Sequence, residues 1–173
     1  MQEIERTYLA KKIPNGLKDC ESREIIDIYI PKSVEHPVIR IRKNGDKYEI
    51  TKKTPINDHD KSVQKEDTIV LTESEFNGLI GAEGKRVRKI RYYYPFEGRT
   101  AEIDVFQDEL KGLILVDVEF ENVNDKDSFG MPEFCLVDVT QEDFIAGGMI
   151  CGKRYDDILE DLDGFGYIRL EME

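Results

Sequence analysis

From Glu3 to Glu121 apolar and polar residues alternate with a period of two, the mark of strands with one face buried. The alternation predicts strands over Glu3–Leu9, Ile25–Ile30, Val38–Arg42, Lys47–Lys53, Lys65–Leu71, Val87–Tyr94, Ala101–Phe106 and Leu113–Glu121. Turn residues fall where hairpins need them, at Asn44-Gly45-Asp46 and at Glu97-Gly98. One helix is expected in this part, with Thr72 as N-cap and Phe76, Leu79 and Ile80 as its apolar positions, ending before Gly81. Past residue 121 the pattern turns helical and irregular. It predicts helices near residues 140–146 and 154–162, a short last strand through Tyr167–Leu170, and loops over Phe129–Asp138 and Gly147–Lys153. No repeat, low-complexity tract or linker interrupts the chain, so a single, mainly β domain over residues 1–173 is expected.

Charge placement adds more than the alternation alone. Residues two apart on a strand share a face. Glu3 pairs in this way with Glu5, Arg40 with Arg42, Lys89 with Arg91, Glu102 with Asp104, and Asp117 with Glu119, each set against isoleucine or valine on the opposite face. Lys53 shares a face with Thr51 and Glu49. An antiparallel sheet with one solvated face explains the alternation. It explains less well why each pair keeps one sign, because solvated faces mix signs along and across strands. The other reading closes the sheet into a barrel with the charged face inside and helices over the apolar outside. Such a lining needs partners: carboxylate pairs suit Mg²⁺ or Mn²⁺ held through oxygen, and arginine and lysine pairs suit a phosphorylated anion.

Composition narrows the classes. A chain of 173 residues is long enough to bury a core. Its net charge of −12 argues against a nucleic-acid partner recognised by phosphate neutralisation. The charge is uneven: residues 101–173 hold 20 acidic and 5 basic side chains, residues 1–100 hold 17 and 20, giving −15 and +3. Three scattered cysteines and two histidines make a disulfide framework or a structural zinc site unexpected. There is no 18-residue apolar run, and the start has no basic and apolar leader, so a cytoplasmic protein without a membrane partner is expected.

The ordered charge pairs resemble one known family. Glu3-Ile-Glu-Arg-Thr-Tyr-Leu is similar to the Glu-x-Glu-x-Lys start of the CYTH domain, the triphosphate tunnel metalloenzymes. In order along residues 2–121, Tyr29, Arg40-Ile-Arg42, Thr51-Lys-Lys53, Lys89-Ile-Arg91-Tyr92, Glu102-Ile-Asp104-Val-Phe106 and the Leu110–Glu119 run resemble its later motifs. The resemblance implies a closed eight-stranded antiparallel β-barrel with a charged interior and a few flanking helices. It implies a triphosphate-containing small molecule as partner, Mg²⁺ or Mn²⁺ as cofactor, and a monomer or homodimer. On these positions Arg40, Arg42, Lys53, Lys89 and Arg91 are the implied phosphate ligands, and Tyr29 is either a further donor or a packed tyrosine. Glu3, Glu5, Asp117 and Glu119 are the implied metal ligands; Glu66, in the Lys65–Leu71 strand, is either a further acid on that side or a surface residue. Glu102 and Asp104 are candidates for a further metal ligand or for orienting the attacking water. The residues beyond 121 are expected to pack on or cap the barrel.

The sequence departs from the family pattern in two places. The signature lysine is Thr7, and Arg6 cannot replace it, since alternation points it to the other face. Asp117 stands where the family has glutamate. The expected activity is hydrolysis of inorganic or nucleoside triphosphate. The alternatives are a thiamine triphosphatase, a class IV adenylate cyclase, or, because of Thr7, a module that binds polyphosphate or a nucleotide without turnover. Other motifs carry less. Gly147-Gly-Met-Ile-Cys-Gly-Lys-Arg154 lacks the hydroxyl residue and strand context of a P-loop, and Cys151 has no neighbouring histidine. The Tyr92–Tyr94 run reads as alternate packing within a strand, and acid-rich Asp156–Asp163 lacks calcium-loop spacing.

Overall fold

The computed structural model describes residues 2–57 and 59–172 and contains nine strands in one antiparallel sheet. These are β1 (Gln2–Ala10), β2 (Ser22–Ile30), β3 (Ile39–Asn44), β4 (Lys47–Asn57), β5 (Asp60–Leu71), β6 (Lys85–Phe96), β7 (Arg99–Phe106), β8 (Ile114–Glu119) and β9 (Cys135–Asp138). Their order is β5-β4-β3-β2-β6-β7-β8-β1-β9, and β1 also pairs with β5. The first eight strands therefore close a barrel, and β9 is added to β1. Closure removes the open edges that a flat sheet would leave unpaired.

β1 makes the seam. Glu3 and Ile4 pair with Gln64 and Val63 of β5, while Glu5–Leu9 run along β8. On the edge that β5 leaves, β9 pairs with Tyr8–Ala10 through a shift in register between Leu9 and Ala10. The Val139 amide donates to the Thr7 carbonyl, and the Thr7 amide donates to Thr140 Oγ1 at 3.0 Å. In the β6–β7 turn Glu97 and Gly98 both have positive φ, 47° and 77°, the backbone that a two-residue hairpin needs to match strand twist.

The outward faces of β1, β7 and β8 carry Ile4, Tyr8, Ile103, Val116 and Val118. These form a core with Leu17 and Phe134 from the connecting segments and with partly buried Phe129. Helix α1 (Glu73–Leu79) buries Phe76 against Ile28 and Ile41. It starts in a reciprocal cap, in which Thr72 Oγ1 accepts from the Glu75 amide and Glu75 Oε2 accepts from the Thr72 amide at 2.7 Å.

At one end the inner face itself turns apolar: Leu9, Val87, Phe106 and Leu115 continue the same alternate positions that carry charge elsewhere. Val139, Ile145, Ile150, Ile158 and Leu162 pack on them. Side chains of the C-terminal third thus pack over this end of the barrel.

Its local structure differs from the sequence pattern. β9 occupies part of the segment expected to loop. Helix α2 (Val123–Ser128), capped by Asn122, lies where no element is predicted. The helix expected near 140–146 is a 3₁₀ turn at Asp143–Ile145, followed by α3 (Gly147–Ile150) in an expected loop. The helix expected at 154–162 is a 3₁₀ turn, Tyr155–Ile158, leading into α4 (Leu159–Gly164). Tyr167–Leu170 is not a strand. Tyr167 is buried and its hydroxyl donates to the Gly112 carbonyl at 2.8 Å, while Ile168 is exposed, so their alternation records docking on the 112–114 backbone. Among the described residues no helix is long and apolar enough to cross a membrane.

Candidate active site

The inner face encloses a cavity of about 550 Å³ lined by charged residues from β1 and β3–β8, with Tyr29 of β2 beside them. Of the solvated-sheet and inward-facing readings, the structure supports the second. Each predicted site residue, Glu3, Glu5, Tyr29, Arg40, Arg42, Lys53, Glu66, Lys89, Arg91, Glu102, Asp104, Asp117 and Glu119, lines this cavity. Arg6, by contrast, faces outward toward Asp138 at 3.8 Å. Strand parity alone places them, since each belongs to an i, i+2 series on the inner side of its strand.

The cations are held in two different ways. Arg42 is clamped by Asp27, with Nε donating to Oδ1 at 2.6 Å and Nη2 donating to Oδ2 at 2.8 Å. Arg91 is clamped by Asp104 through Nε and Nη2, both at 2.7 Å, and also pairs with Glu102. Lys89 donates to the same Asp104. Burial works against charge on Asp104, but Arg91 and then Lys89 outweigh it and hold the carboxyl well below the usual carboxylate range. Arg40 differs. Its Nη2 lies 3.8 Å from Glu49 Oε1, and its Nε is buried without a hydrogen-bond partner. A buried guanidinium donor left unmatched is costly unless an acceptor arrives from outside the chain.

The carboxylates gather on β1, β7 and β8. Glu5 lies directly opposite Glu119, and Glu102 opposite Asp117. Like charges in facing positions repel. Burial, then Glu102 and Glu5, push Glu119 above the usual carboxylate value. Burial, then Glu5 and Asp104, do the same to Asp117. Glu102 is raised by burial, against the pull of Arg91 and with help from Asp117. Lys53 answers part of this charge, pairing with Glu3, with Glu5 at 3.4 Å and with Glu66 at 3.6 Å. Thr7 adds no charge; its hydroxyl donates to Asp117 Oδ1 at 2.7 Å. Lys12 does not make up the difference, because it pairs on the outside with Glu133 at 3.3 Å.

The capping segment forms the cavity floor. Ile145, Ala146, Gly147, Gly148 and Ile150 line it beside Phe106 and Leu115. A Cβ on Gly147 would lie 2.1 Å from the Tyr29 hydroxyl oxygen, and one on Gly148 only 2.2 Å from the Pro37 carbonyl oxygen. The near-P-loop motif is thus a close-packed floor, not a phosphate loop.

Two features escaped the sequence pattern. Asp27 is a lone acid in Ile25-Ile-Asp-Ile-Tyr-Ile30, without an i+2 charged mate, and its signal was the burial implied by isoleucine on both sides. Glu49 pairs with Arg40 at 3.8 Å, and its place on the face of Lys53 was the available hint. Asp104 has both oxygens engaged by Arg91 and Lys89, which leaves Glu102 the freer of the two candidates for orienting water.

The acid wall fits a hard divalent cation in donor chemistry: its ligands are all oxygen, and the facing pairs carry charge that Lys53 and Arg91 only partly match. With the side chains as they stand, no three of these groups among the described residues enclose an ion.

A closed antiparallel barrel with a cationic wall facing an anionic one, around a ligand-sized cavity, defines the class. No family model matches the chain. An inorganic triphosphatase of Nitrosomonas europaea is 30% identical over 144 residues, which are 82% of this chain and 91% of the relative. The crystal structure of an inorganic triphosphatase superposes with a TM-score of 0.62 at 25% identity, covering 87% of this chain and 95% of the other. An adenylyl-cyclase candidate from Hippeastrum, with a dominant triphosphatase activity, shares the fold at a TM-score of 0.50 and 13% identity, covering 72% and 82%. The chain belongs to the CYTH, or triphosphate tunnel metalloenzyme, family.

Proposed function

We propose that the chain is a metal-dependent triphosphatase that hydrolyses inorganic triphosphate to diphosphate and orthophosphate. The observation that carries this reading is Arg40: a buried guanidinium with an unmatched Nε, on a cationic wall that faces the acid wall across one cavity. The name of the Nitrosomonas relative supports it.

In this reading Arg40, Arg42, Lys89 and Arg91 receive the phosphate oxygens, and Lys53 bridges to the acid side. Their ordered donors stabilise charge on the phosphoryl oxygens as the terminal P–O bond breaks and water adds to that phosphorus. Glu3, Glu5, Asp117, Glu119 and Glu66 are the residues that would hold Mg²⁺ or Mn²⁺. When bound, the ion supplies Lewis-acid charge and draws water and phosphate together. Glu102, raised by burial, is suited to accept a hydrogen bond from the attacking water and to take up its proton. Tyr29 stands between Arg40, its cross-strand neighbour, and the floor, where its hydroxyl can donate to an inner phosphate.

One observation favours binding without turnover. The charge missing at Thr7 is not replaced from the strand end: neither Lys11 nor Lys12 lines the cavity, and Lys12 pairs outside with Glu133. Phosphate release from inorganic triphosphate, with Mg²⁺ and then Mn²⁺ and with or without chelator, decides between the two. Metal-dependent release establishes the triphosphatase. Triphosphate that raises the melting temperature without being cleaved establishes the binding module.

A further inference from the structure

Asp27 is a buried carboxylate on the wall that would receive an anion, where a negative charge works against binding. It is 2% exposed. It sits directly opposite Arg42 in the β2–β3 ladder and opposite Val87 in the β2–β6 ladder. One inward step along β2, Tyr29 is opposite Arg40. The same strand therefore offers an acid to one arginine and a phenol to the other. Arg42 is fixed through Nε and Nη2, both on Asp27, whereas Arg40 keeps an unmatched Nε.

We propose that Asp27 is a positioning residue. It holds the Arg42 guanidinium in one rotamer, so that the edge away from Asp27 meets the triphosphate already oriented. This rests on the triphosphatase reading and adds to it a residue that acts only through Arg42. Stability does not account for the pair. A buried ion pair is weak evidence for stability, since a matched apolar pair of similar shape does as well. The neighbouring positions Ile25, Ile28 and Ile41 show that this region of β2 and β3 accommodates aliphatic side chains. What an apolar pair does not supply is a guanidinium whose side-chain freedom is lost on folding and not on binding. That prepayment of entropy is the gain of a preorganised site. Burial opposes the charge on Asp27, but Arg42 overcomes it and holds the carboxyl well below the usual carboxylate range.

The test compares Asp27→Asn, Arg42→Ala and the double variant with the unaltered chain, measuring phosphate release from inorganic triphosphate under Mg²⁺ and the melting temperature of each. Asp27→Asn is expected to raise the triphosphate KM about tenfold, with a smaller change in kcat, because an unclamped arginine must be ordered on binding. In the Arg42→Ala background the same change is expected to move KM by less than about twofold, because there is no fork left to hold. A lowered melting temperature with unchanged KM, or effects that add in the double variant, would overturn the proposal. If Asp27→Asn does not fold, Asp27→Asn/Arg42→Gln removes both charges and leaves two neutral amides in their place. Its KM should match that of Arg42→Ala, and a wild-type KM would overturn the proposal. Absence of both turnover and triphosphate-induced stabilisation in the unaltered chain would strike the triphosphatase reading and this proposal with it. Normal turnover with an indifferent Asp27→Asn would strike Asp27 alone.

Discussion

Thr7 and Asp117 are cross-strand partners 110 residues apart in sequence, and the threonine hydroxyl donates to the carboxylate at 2.7 Å. A neutral donor thus sits where the family pattern has a lysine. Thr7→Lys would set an ammonium among Glu5, Asp117 and Glu119. It is expected to lower the triphosphate KM about tenfold, the worth of one charge-assisted contact of about 1.4 kcal/mol. An unchanged KM would place position 7 off the path of the substrate. Lys12→Ala serves as the control and should leave KM unaltered, because Lys12 pairs outside the barrel.

Arg40→Ala and Glu119→Ala probe opposite walls. Each is expected to reduce kcat/KM by about 10²–10³, the usual cost of removing one preorganised charged group from a phosphoryl-transfer site. Steady-state kinetics on both variants checks this. Near-normal turnover in either would remove that residue from the machinery.

The carboxylates impose a pH dependence with a definite sign. Glu3, Glu102, Asp117 and Glu119 are raised, so each favours the folded state below its ordinary value, and that contribution is lost as pH rises through the folded value. Asp27 and Asp104 are lowered and act in reverse, stabilising above the ordinary carboxylate range and losing that effect as pH falls. At neutral pH the acid wall is therefore repulsive and the two clamps are intact. A divalent cation relieves the first without touching the second. Mg²⁺ or Mn²⁺ is expected to raise the melting temperature more at about pH 8 than at about pH 5, where protons already neutralise part of the wall. Equal shifts at both values in a thermal-denaturation series would count against metal on these residues.

Asp104 serves two buried cations at once and is 1% exposed. Asp104→Asn leaves Lys89 and Arg91 without their shared counter-charge and is expected to cost about 3–5 kcal/mol. Urea denaturation should show this as a lower midpoint with an unchanged slope. A loss of activity without loss of stability would instead make Asp104 a participant in the chemistry.

The floor can be tested apart from the walls. A Cβ at Gly148 meets a backbone carbonyl oxygen, which cannot swing aside, so Gly148→Ala is expected to cost about 1–3 kcal/mol and to disturb turnover. Gly78→Ala, inside α1 with nothing within 4 Å, should be neutral or stabilising by about 0.5–1 kcal/mol. Paired thermal melts compare the two.

The barrel was legible in the sequence because period-two alternation and inward charge coincide: once Glu3, Arg40, Lys89, Glu102 and Asp117 share a face with their mates, parity puts them together. Asp27 was hidden because its partner is on the next strand, not two residues away. The pairing depends on β2–β3 register, which alternation alone does not fix. β9 was hidden for a similar reason. Four residues, Cys135–Asp138, become a strand only because β5 leaves the edge of β1 after Ile4 and frees it for another partner. The alternation at Tyr167–Leu170 misled because a buried tyrosine beside an exposed isoleucine mimics a strand while docking on a loop.

The seam at β1 also sets an order of events. The first strand of the chain pairs with β5, β8 and β9 and never with its sequence neighbour β2, so its contacts are among the most distant in the molecule. During synthesis it must wait until residues near position 140 have emerged before both its edges are covered. High contact order of this kind slows folding, because long loops must close before any pairing rewards them. In that interval the unpaired strand carries Glu3 and Glu5 on one face and Arg6 on the other. The same carboxylates that face the cavity in the finished barrel would set like charges opposite one another if two copies of this strand paired, which disfavours that pairing.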